Sequence, residues 1–434
     1  MPTPVLSLAD PVVNAEGSLD PLGLTSLADK IADIMLPGMT ARMSWPRFLT
    51  AMAVSSVVTK SLDDRANDGM TPPYLVFEWY AIEAYAKSDS GRGNNLLRVP
   101  GIDKARTALL EGCPMSARRY LKTPTVFGYH GVYKTLARAL DIVDGELSLG
   151  ENGRRLLNAW EREQKLEGFT DGNSGAGASL RKHLKIIVED GIKKGHTVYN
   201  SRWRFFNDYL LPDKPSRAER RLLWELLVND SGGIRGEVYQ LMRKPQIIAD
   251  FSHRAGLGDE DQLLNRMKRH ASQKLDDCLS AIESYENLCR ILQNGFDWIR
   301  YTSSSQTVKP THMADCSKNI VPLANKLRST IKKTQPAIAA LNSGLDTELD
   351  QLVAAFSHVR DSNDFFEALL TRHKTVQDNK PPEGKRQWFE RTQDGGVIIR
   401  AFRLDDEPDG GNYHVHRYRL AAVAAFVANL RGGA

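Results

Sequence analysis

The stretch YHGVYKTLARALDIVDGELSLGENGRRLLNAWE, residues 129–161, changes its pattern of apolar residues twice within a short span. Apolar residues recur at helical spacing from Val132 to Val143, which predicts an amphipathic helix. The short apolar piece at 147–149 predicts a strand, and the glycines after it introduce a second helix. The stretch therefore predicts a helix, a small extended element and a helix packed behind it.

The end of this stretch, LSLGENGRRLLNAW, resembles the L-x-L-T-x-x-G-x-x-L ending of many bacterial winged-helix domains. In those domains the preceding helix lies in the major groove of DNA and the wing contacts phosphate. Winged helices also serve as protein-interaction modules, so that alternative stays open. The contacts that the resemblance implies are Tyr129, His130, Tyr133, Lys134 and Arg138 on the helix, and Arg118, Arg119 and Lys122 upstream.

Length and composition place the stretch in a larger soluble protein. The chain has 434 residues, of which 41% are hydrophobic and 26% charged, as in ordinary folded proteins. This length predicts about two to four domains. The N-terminus has no basic region followed by an apolar core, and no apolar run approaches the length of a membrane span. We therefore expect a cytoplasmic protein without a membrane partner.

Helical periodicity dominates the rest of the chain, and Ser216 with Glu219 forms a capping-box pattern at one helix start. The end differs, because RQWFERTQDGGVIIRAFRL predicts a hairpin with a turn at 394–396. The predicted fold class is mainly α, a multidomain helical protein with a winged-helix-like unit and a small C-terminal β-hairpin element. The predicted regions are helical at 1–90, winged-helix-like at 91–168, a Gly/Ser linker at 169–180, helical at 181–375, and hairpin plus helix at 376–434.

The net charge of +5 is unevenly distributed along the chain. Residues 181–244 carry 14 Lys/Arg against 8 Asp/Glu, whereas residues 1–180 carry 19 against 21. A local basic excess suits a polyanionic partner, although a solvated helix face explains it equally simply. An aromatic beside arginines can cover base and backbone together. The nucleic-acid contacts predicted here are Arg181, Lys182, Lys193, Lys194, Arg202, Trp203 and Arg204.

His183-x-Lys185-x4-Asp190 matches the H-x-K-x4-D core of the phospholipase D-like nucleases, and Asn200 lies where that family often has an asparagine. The resemblance implies a His183 nucleophile and a phosphate-binding Lys185. That family places the His and Lys on a strand, whereas the apolar residues around this motif recur at helical spacing. A helix over 181–190 would exclude this nuclease alternative.

Other constellations point to structure more than to chemistry. His414 and His416 would share one side of a strand, but no third ligand is evident, so no metal is predicted. Glu383-x-Lys385 matches the tail of a restriction-type nuclease motif, but the prolines before it predict a loop. No glycine-rich nucleotide motif is present, and no cofactor is predicted. We interpret the widely spaced cysteines as structural: Cys113, Cys278, Cys289 and Cys316.

Two further segments, DIMLPGMTARMSWPRFLTAM near the start and GKRQWFERTQDGGVIIRAFR with YHVHRYRLAAVAAFVANL at the end, accompany the winged-helix-like middle. The combination resembles uncharacterised proteins encoded in bacterial anti-phage defence islands. The resemblance implies an accessory role in defence and supplies no catalytic residues. The predicted function is therefore a non-enzymatic accessory protein that contacts DNA and other defence proteins. The alternatives are the His183/Lys185 nuclease and a pure protein-interaction scaffold.

Overall fold

The computed structural model describes residues 20–62, 64–90, 96, 98–198, 204–229, 232–249, 251, 257–306, 309–381, 384–410 and 414–431. Over these ranges the protein is mostly helical, with a two-stranded antiparallel sheet near the C-terminus. The predicted mainly α fold with a small C-terminal β element is confirmed. Within the same ranges, no helix is long and apolar enough to cross a membrane.

The elements follow one another in a single order along the chain. They are α1 (Thr25–Met35), α2 (Phe48–Thr59), α3 (Pro73–Ser90), α4 (Ile102–Leu110), α5 (Pro124–Phe127), α6 (Tyr129–Ala139), α7 (Glu151–Gln164), α8 (Ala176–Lys194), α9 (Arg204–Tyr209), α10 (Arg217–Val228), α11 (Arg235–Arg243), α12 (Pro245–Ile248), α13 (Leu257–Lys268), α14 (Gln273–Ser305), α15 (Ser317–Ala339), α16 (Leu345–Ala354), α17 (Ser362–Asp378), β1 (Phe389–Arg391), β2 (Val397–Ile399) and α18 (Leu420–Leu430).

The chain forms two compact units. Unit 1 contains the described residues of Met1–Ile34 and Gly256–Tyr418, and unit 2 contains those of Met35–Ala255 and Arg419–Ala434. Each unit is therefore assembled from two separate segments. Each region predicted from the sequence is one continuous stretch of chain. The boundaries between the predicted regions fall inside the two units and do not separate one unit from the other.

Unit 1 is built on the long helix α14, which packs against α15, α17 and the β-hairpin. Ser272 caps the start of α14, because its side chain accepts a hydrogen bond from the Leu275 N–H at 3.4 Å. The residues before α1 join this core through their carbonyls. Tyr285 Oη donates to the Leu24 carbonyl at 2.7 Å, and Arg372 Nε donates to the Leu22 carbonyl at 2.9 Å. These bonds fix the N-terminal segment against helices that lie far along the sequence.

The hairpin of unit 1 confirms the turn chemistry read from the sequence. β1 pairs antiparallel with β2, and Phe389 lies opposite Ile399. Gly395 has φ 84°, a left-handed conformation that glycine adopts without the steric cost of a Cβ. Phe389 and Ile399 are both buried, so one face of this short ribbon joins the core.

Unit 2 has an aromatic core. Phe48 on α2 stacks on Tyr129 with ring centroids 4.8 Å apart, and Tyr133 stacks on Phe426 of α18 at 6.3 Å. α18 is buried along most of its length, as its sequence LAAVAAFVANL requires. It packs against α10 and α11 and completes the core of this unit.

The predicted wing is only partly formed. Between α6 and α7 the chain makes one isolated antiparallel bridge, Val143 with Leu149, so the predicted strand at 147–149 is wrong. The Asp144 side chain accepts hydrogen bonds from the Glu146 and Ser148 N–H groups at 2.8 and 2.9 Å. These bonds hold the segment as a tight turn, because an aspartate that binds nearby backbone competes with ladder pairing.

The segment predicted as a Gly/Ser linker, 169–180, lies inside unit 2. Phe169 is fully buried and packs edge-on against Trp160. Gly177 lies so close to the Leu166 carbonyl that a Cβ would not fit. Glycine is needed here for close backbone packing, so composition alone misidentified a folded loop as a linker.

Candidate functional site

Two of the predicted basic segments meet in unit 2 through an isolated antiparallel bridge between Ser116 and His196. Thr197 N donates to the Met115 carbonyl at 2.8 Å, and Met115 N donates to Thr197 Oγ1 at 2.9 Å. These bonds fix the segment 113–122 beside the C-terminal end of α8. Residues about 80 positions apart in sequence therefore share one surface.

Exposed cations lie on both sides of this bridge. None of them forms an ion pair with a described residue, which leaves their charges available to an external anion. The segment 113–122 contains no acidic residue, and the exposed acids nearest to the two segments in sequence are Glu111 and Asp190, so positive charge predominates. Lys193 and Lys194 also occupy the last turn of α8, where the helix dipole favours cations. We call the following five residues the cationic surface: Arg118, Arg119, Lys122, Lys193 and Lys194.

The buried carboxyl group of Glu83 holds Thr197, the residue that follows His196 of the bridge. Thr197 Oγ1 donates a hydrogen bond to Glu83, which is 3% exposed. Burial raises the pKa of Glu83, while Thr197 and Lys87 lower it. Val198 N donates to Tyr80 Oη at 3.0 Å. The cationic surface thus rests on a fixed framework.

Other predicted contacts serve the fold. Arg181 is half-buried, and its guanidinium donates to the carbonyls of Phe169, Thr170 and Gly172 at 2.6 to 2.8 Å. Arg138 donates to the Gly145 carbonyl at 2.7 Å. The three carbonyl bonds of Arg181 use its guanidinium to hold the loop, which argues against its predicted phosphate contact. Arg138 is exposed, and its phosphate contact stays a prediction.

The remaining predicted contacts differ in exposure, and two of them lie outside the described residues. Lys134 is half-buried on α6, and Lys182 is exposed on α8. Arg204 is exposed at the start of α9, with its Nε 3.7 Å from Asp208 Oδ2. Arg202 and Trp203 lie outside the described residues.

The aromatic residues that the winged-helix resemblance places in a DNA groove are buried. Tyr129 and Tyr133 are fully enclosed, and His130 is 3% exposed. Tyr133 Oη accepts hydrogen bonds from the Ser44 and Trp45 N–H groups, both at 2.9 Å. The predicted DNA contacts of these three side chains are therefore wrong, because α6 uses that face for the core.

The nuclease alternative is also wrong. His183, Lys185 and Asp190 lie on α8, which is helical from Ala176 to Lys194, whereas the family motif requires a strand. Lys185 Nζ donates to Ser61 Oγ at 2.7 Å and lies 3.8 Å from Glu189, so it acts in surface packing. Asn200 lies outside the described residues.

The two C-terminal histidines of unit 1 pair with separate carboxylates. His414 Nε2 lies 3.0 Å from Asp261 Oδ1, and His416 Nδ1 lies 2.8 Å from Glu286 Oε1. Residues 414–419 form no strand, so the predicted shared strand face is wrong. For the E-x-K motif, Glu383 lies outside the described residues, and Lys385 is not on a strand.

Glu286, Cys289 and His416 bring three possible metal-ligand atoms within 4.8 Å of one another. The carboxylate of Glu286 is already engaged, because it accepts from Tyr418 Oη at 2.6 Å and from His416 Nδ1. Burial raises the pKa of the Cys289 thiol well above its usual value, which disfavours the thiolate that a metal requires. This cluster is a buried hydrogen-bonded network that ties 414–418 to α14.

A polar cavity of about 450 Å³ lies in unit 2. One face of α2 forms part of its wall, including Ser55, Ser56 and Thr59. His130 and Tyr74 also line it. The sequence interpretation missed this site, although hydroxyl residues at helical spacing within the apolar segment AMAVSSVVT were a signal. Such residues on a buried helix must face either one another or a polar space.

Comparisons with protein-family models, with curated proteins and with solved structures find no match to this chain. Functional inference therefore rests on the surfaces and cavities of the protein itself.

Proposed function

We propose that this protein is a non-enzymatic accessory component of a bacterial anti-phage defence system and that it contacts DNA. The observation that carries the DNA contact is the Ser116–His196 bridge, because it joins two cationic segments into one surface. Lys and Arg on such a surface neutralise phosphates and release condensed counterions, which favours binding. The cationic surface supplies five such side chains without intramolecular ion pairs among the described residues.

The proposed contact is with the phosphate backbone. α6 buries Tyr129, His130 and Tyr133, so this helix offers no row of side chains to base edges. Phosphate contacts position a protein on DNA without reading its sequence. We therefore expect similar affinity for duplexes of different sequence.

The defence role and the protein partners rest on the resemblance carried by the first and last segments of the sequence. That resemblance favours action in the cytoplasm, beside other proteins of the same system. A pure scaffold is the competing function, and it would bind those partners without nucleic acid.

The test measures DNA affinity by fluorescence anisotropy over a series of salt concentrations. The variant removes four cations of the proposed surface: Arg118→Ala, Arg119→Ala, Lys193→Ala and Lys194→Ala. If all four contact phosphate, the slope of log K against log salt decreases in magnitude by about 4, at about 1 per cation. Affinity falls for every duplex sequence alike.

The matched control removes four exposed cations from α15: Lys318→Ala, Lys326→Ala, Arg328→Ala and Lys332→Ala. It has the same net charge as the first variant, and its DNA affinity should stay near that of the wild type. An equal loss of DNA affinity in both variants would show that binding depends on overall charge, and it would contradict the proposal that the cationic surface binds DNA. A wild-type protein without a salt response would refute DNA binding and leave the scaffold function.

A further inference from the structure

The cavity of about 450 Å³ in unit 2 has a size typical of small-molecule sites. α2 contributes Ser55, α6 contributes His130, and the segments that flank α2 and α3 contribute Lys60 and Arg65. Helices and the loops that join them thus place hydroxyl, imidazole and cationic groups around one space. None of these residues belongs to the cationic surface.

His130 is held in one orientation by Glu78. The Glu78 carboxylate is fully buried and accepts a hydrogen bond from His130 Nδ1 at 2.7 Å. It also accepts from the Tyr129 and His130 N–H groups at 3.0 and 3.1 Å, and from Tyr120 Oη at 2.5 Å. Because this carboxylate accepts, Nδ1 carries the proton, and the opposite nitrogen Nε2 is fixed in position.

Two polar atoms of the cavity residues have no hydrogen-bond partner. They are His130 Nε2 and Ser55 Oγ, and both are buried. A buried polar group without a partner costs about 1–3 kcal/mol. Both belong to residues that line the same space, so a polar occupant that reaches them would satisfy both groups. Nearby hydroxyls differ, because Ser56 Oγ and Thr59 Oγ1 already donate to helix carbonyls at 2.8 Å.

The charge at the rim defines the occupant. Lys60 and Arg65 are exposed and form no ion pair within the described part of the chain, and Glu146 is the one carboxylate among the lining residues. Burial and the negative charge of Glu78 raise the pKa of the half-buried Tyr74, and the positive charge of Arg65 partly opposes this rise. Arg65 and Tyr74 both line the cavity, and the planar fork of a guanidinium suits an oxyanion.

We propose that this cavity binds a small molecule that carries a phosphate group. Arg65 and Lys60 bind the phosphate oxygens at the rim, and Ser55 and His130 hydrogen-bond to the occupant at its buried end. The half-buried ring of Tyr74 provides an apolar wall for the organic part of the molecule. This site is independent of the proposed DNA contact, because it uses different residues.

Isothermal titration calorimetry of the full chain tests the site, first with inorganic phosphate and then with adenosine monophosphate. Arg65→Gln removes a charged double hydrogen bond and should weaken both by about tenfold or more. Ser55→Ala should also weaken binding without loss of stability, because its Oγ makes no hydrogen bond in the free protein. Arg221→Gln, an exposed arginine on α10, is the matched control and should bind as the wild type does.

Tighter binding of adenosine monophosphate than of inorganic phosphate supports an organic phosphate as the occupant. If inorganic phosphate binds, adenosine monophosphate does not, and Arg65→Gln loses the binding, the phosphate contact is supported and adenosine is excluded as the organic part. Absence of binding by both probes, or equal affinity of wild type and Arg65→Gln, overturns the site and leaves water as its occupant. Arg65→Gln should keep the DNA affinity of the wild type, so a failure of the phosphate site can be distinguished from a failure of the proposed DNA contact.

Discussion

Arg47 and Glu219 form an ion pair inside unit 2, with 3.0 Å between Arg47 Nε and Glu219 Oε1. The guanidinium also donates to the Leu211 and Tyr209 carbonyls at 2.9 and 2.8 Å. Glu219 accepts in addition from the Ser216 N–H at 3.0 Å, as the capping box at the start of α10 requires. One carboxylate thus both starts a helix and neutralises a buried cation.

Arg47→Met should destabilise the protein by about 3–5 kcal/mol, because it leaves the Glu219 carboxylate buried without its counter-charge. Urea unfolding measures this change. The double variant Arg47→Met/Glu219→Gln should be more stable than Arg47→Met, since the glutamine carries no charge and keeps the cap. Arg221→Met, on the exposed side of α10, should change stability by less than about 0.5 kcal/mol. A double variant no more stable than the single one would refute the charge explanation.

His373 is a neutral bridge in the core of unit 1. Its Nδ1 lies 3.0 Å from the Pro21 carbonyl, and its Nε2 accepts from the Trp388 N–H at 3.1 Å. Its pKa is lowered to about 4, chiefly by burial, and the positive charges of Lys380 and Arg300 act in the same direction. The Pro21 carbonyl opposes this shift. A proton on Nε2 would break the bond from Trp388.

Between about pH 6.5 and pH 4 the unfolded chain holds a proton on this histidine and the folded protein does not. The contribution of His373 to stability is therefore complete above about pH 6.5 and decreases by about 1.4 kcal/mol per pH unit on acidification. Urea unfolding at a series of pH values measures this slope. His373→Gln can both donate and accept but does not titrate, so its slope should be smaller in this window. Identical slopes would contradict the assignment.

At the scale of single residues, local pairs were predictable and distant ones were not. The capping box of Ser216 and Glu219 follows from a spacing of three, whereas Arg47 is 172 positions from its carboxylate. The cysteines Cys278 and Cys289 are buried on α14, as expected from their apolar neighbours. His130 could be recognised on the helix, but its pairing with Glu78 depends on how α3 and α6 pack.

Among the elements, α8 shows why a basic segment does not by itself define a binding face. Lys193 and Lys194 at its end are exposed, whereas Arg181 in its first turns reaches back to three loop carbonyls. Those carbonyls belong to the glycine-rich loop before the helix. Arg181 therefore fixes the loop on which α8 begins.

Arg181→Lys should loosen this loop, because a single ammonium group cannot reproduce the forked contacts of a guanidinium. We expect a loss of about 1–3 kcal/mol in unfolding free energy and faster amide hydrogen exchange at 169–175. DNA affinity should remain unchanged. Lys182→Ala, at the exposed neighbour, is the control and should leave exchange in the loop as in the wild type. A weakened DNA complex in Arg181→Lys would restore its predicted role in binding.

Elements with local signals were predicted well. The hairpin near the C-terminus follows from its glycine turn, and α18 follows from its apolar run. The wing strand was not formed, because Asp144 binds the backbone of its own turn. α15 continues through Pro336 to Ala339, although a proline normally ends a helix, and its packing against α14 overrides that preference.

For the whole molecule, periodicity was sufficient to predict a mainly α fold, since nearly every segment repeats its apolar residues at helical spacing. The division into units was not predictable in this way. Unit 1 joins residues near 20–34 to the segment 256–418, and unit 2 takes α18 from beyond that segment. Such long-range partners leave no local composition signal, and the glycine-rich loop at 169–180 gave a misleading one.

The discontinuous units have a consequence for synthesis. Arg372 follows its partner Leu22 by 350 residues, and α18 leaves the ribosome after every other described helix. The core of each unit is complete only after its sequence-distant segment has been synthesised. The faces of α10 and α11 that pack against α18 therefore stay exposed in the nascent chain until α18 emerges. The growing chain is therefore a substrate for chaperones that hold exposed apolar segments until the distant segments have emerged.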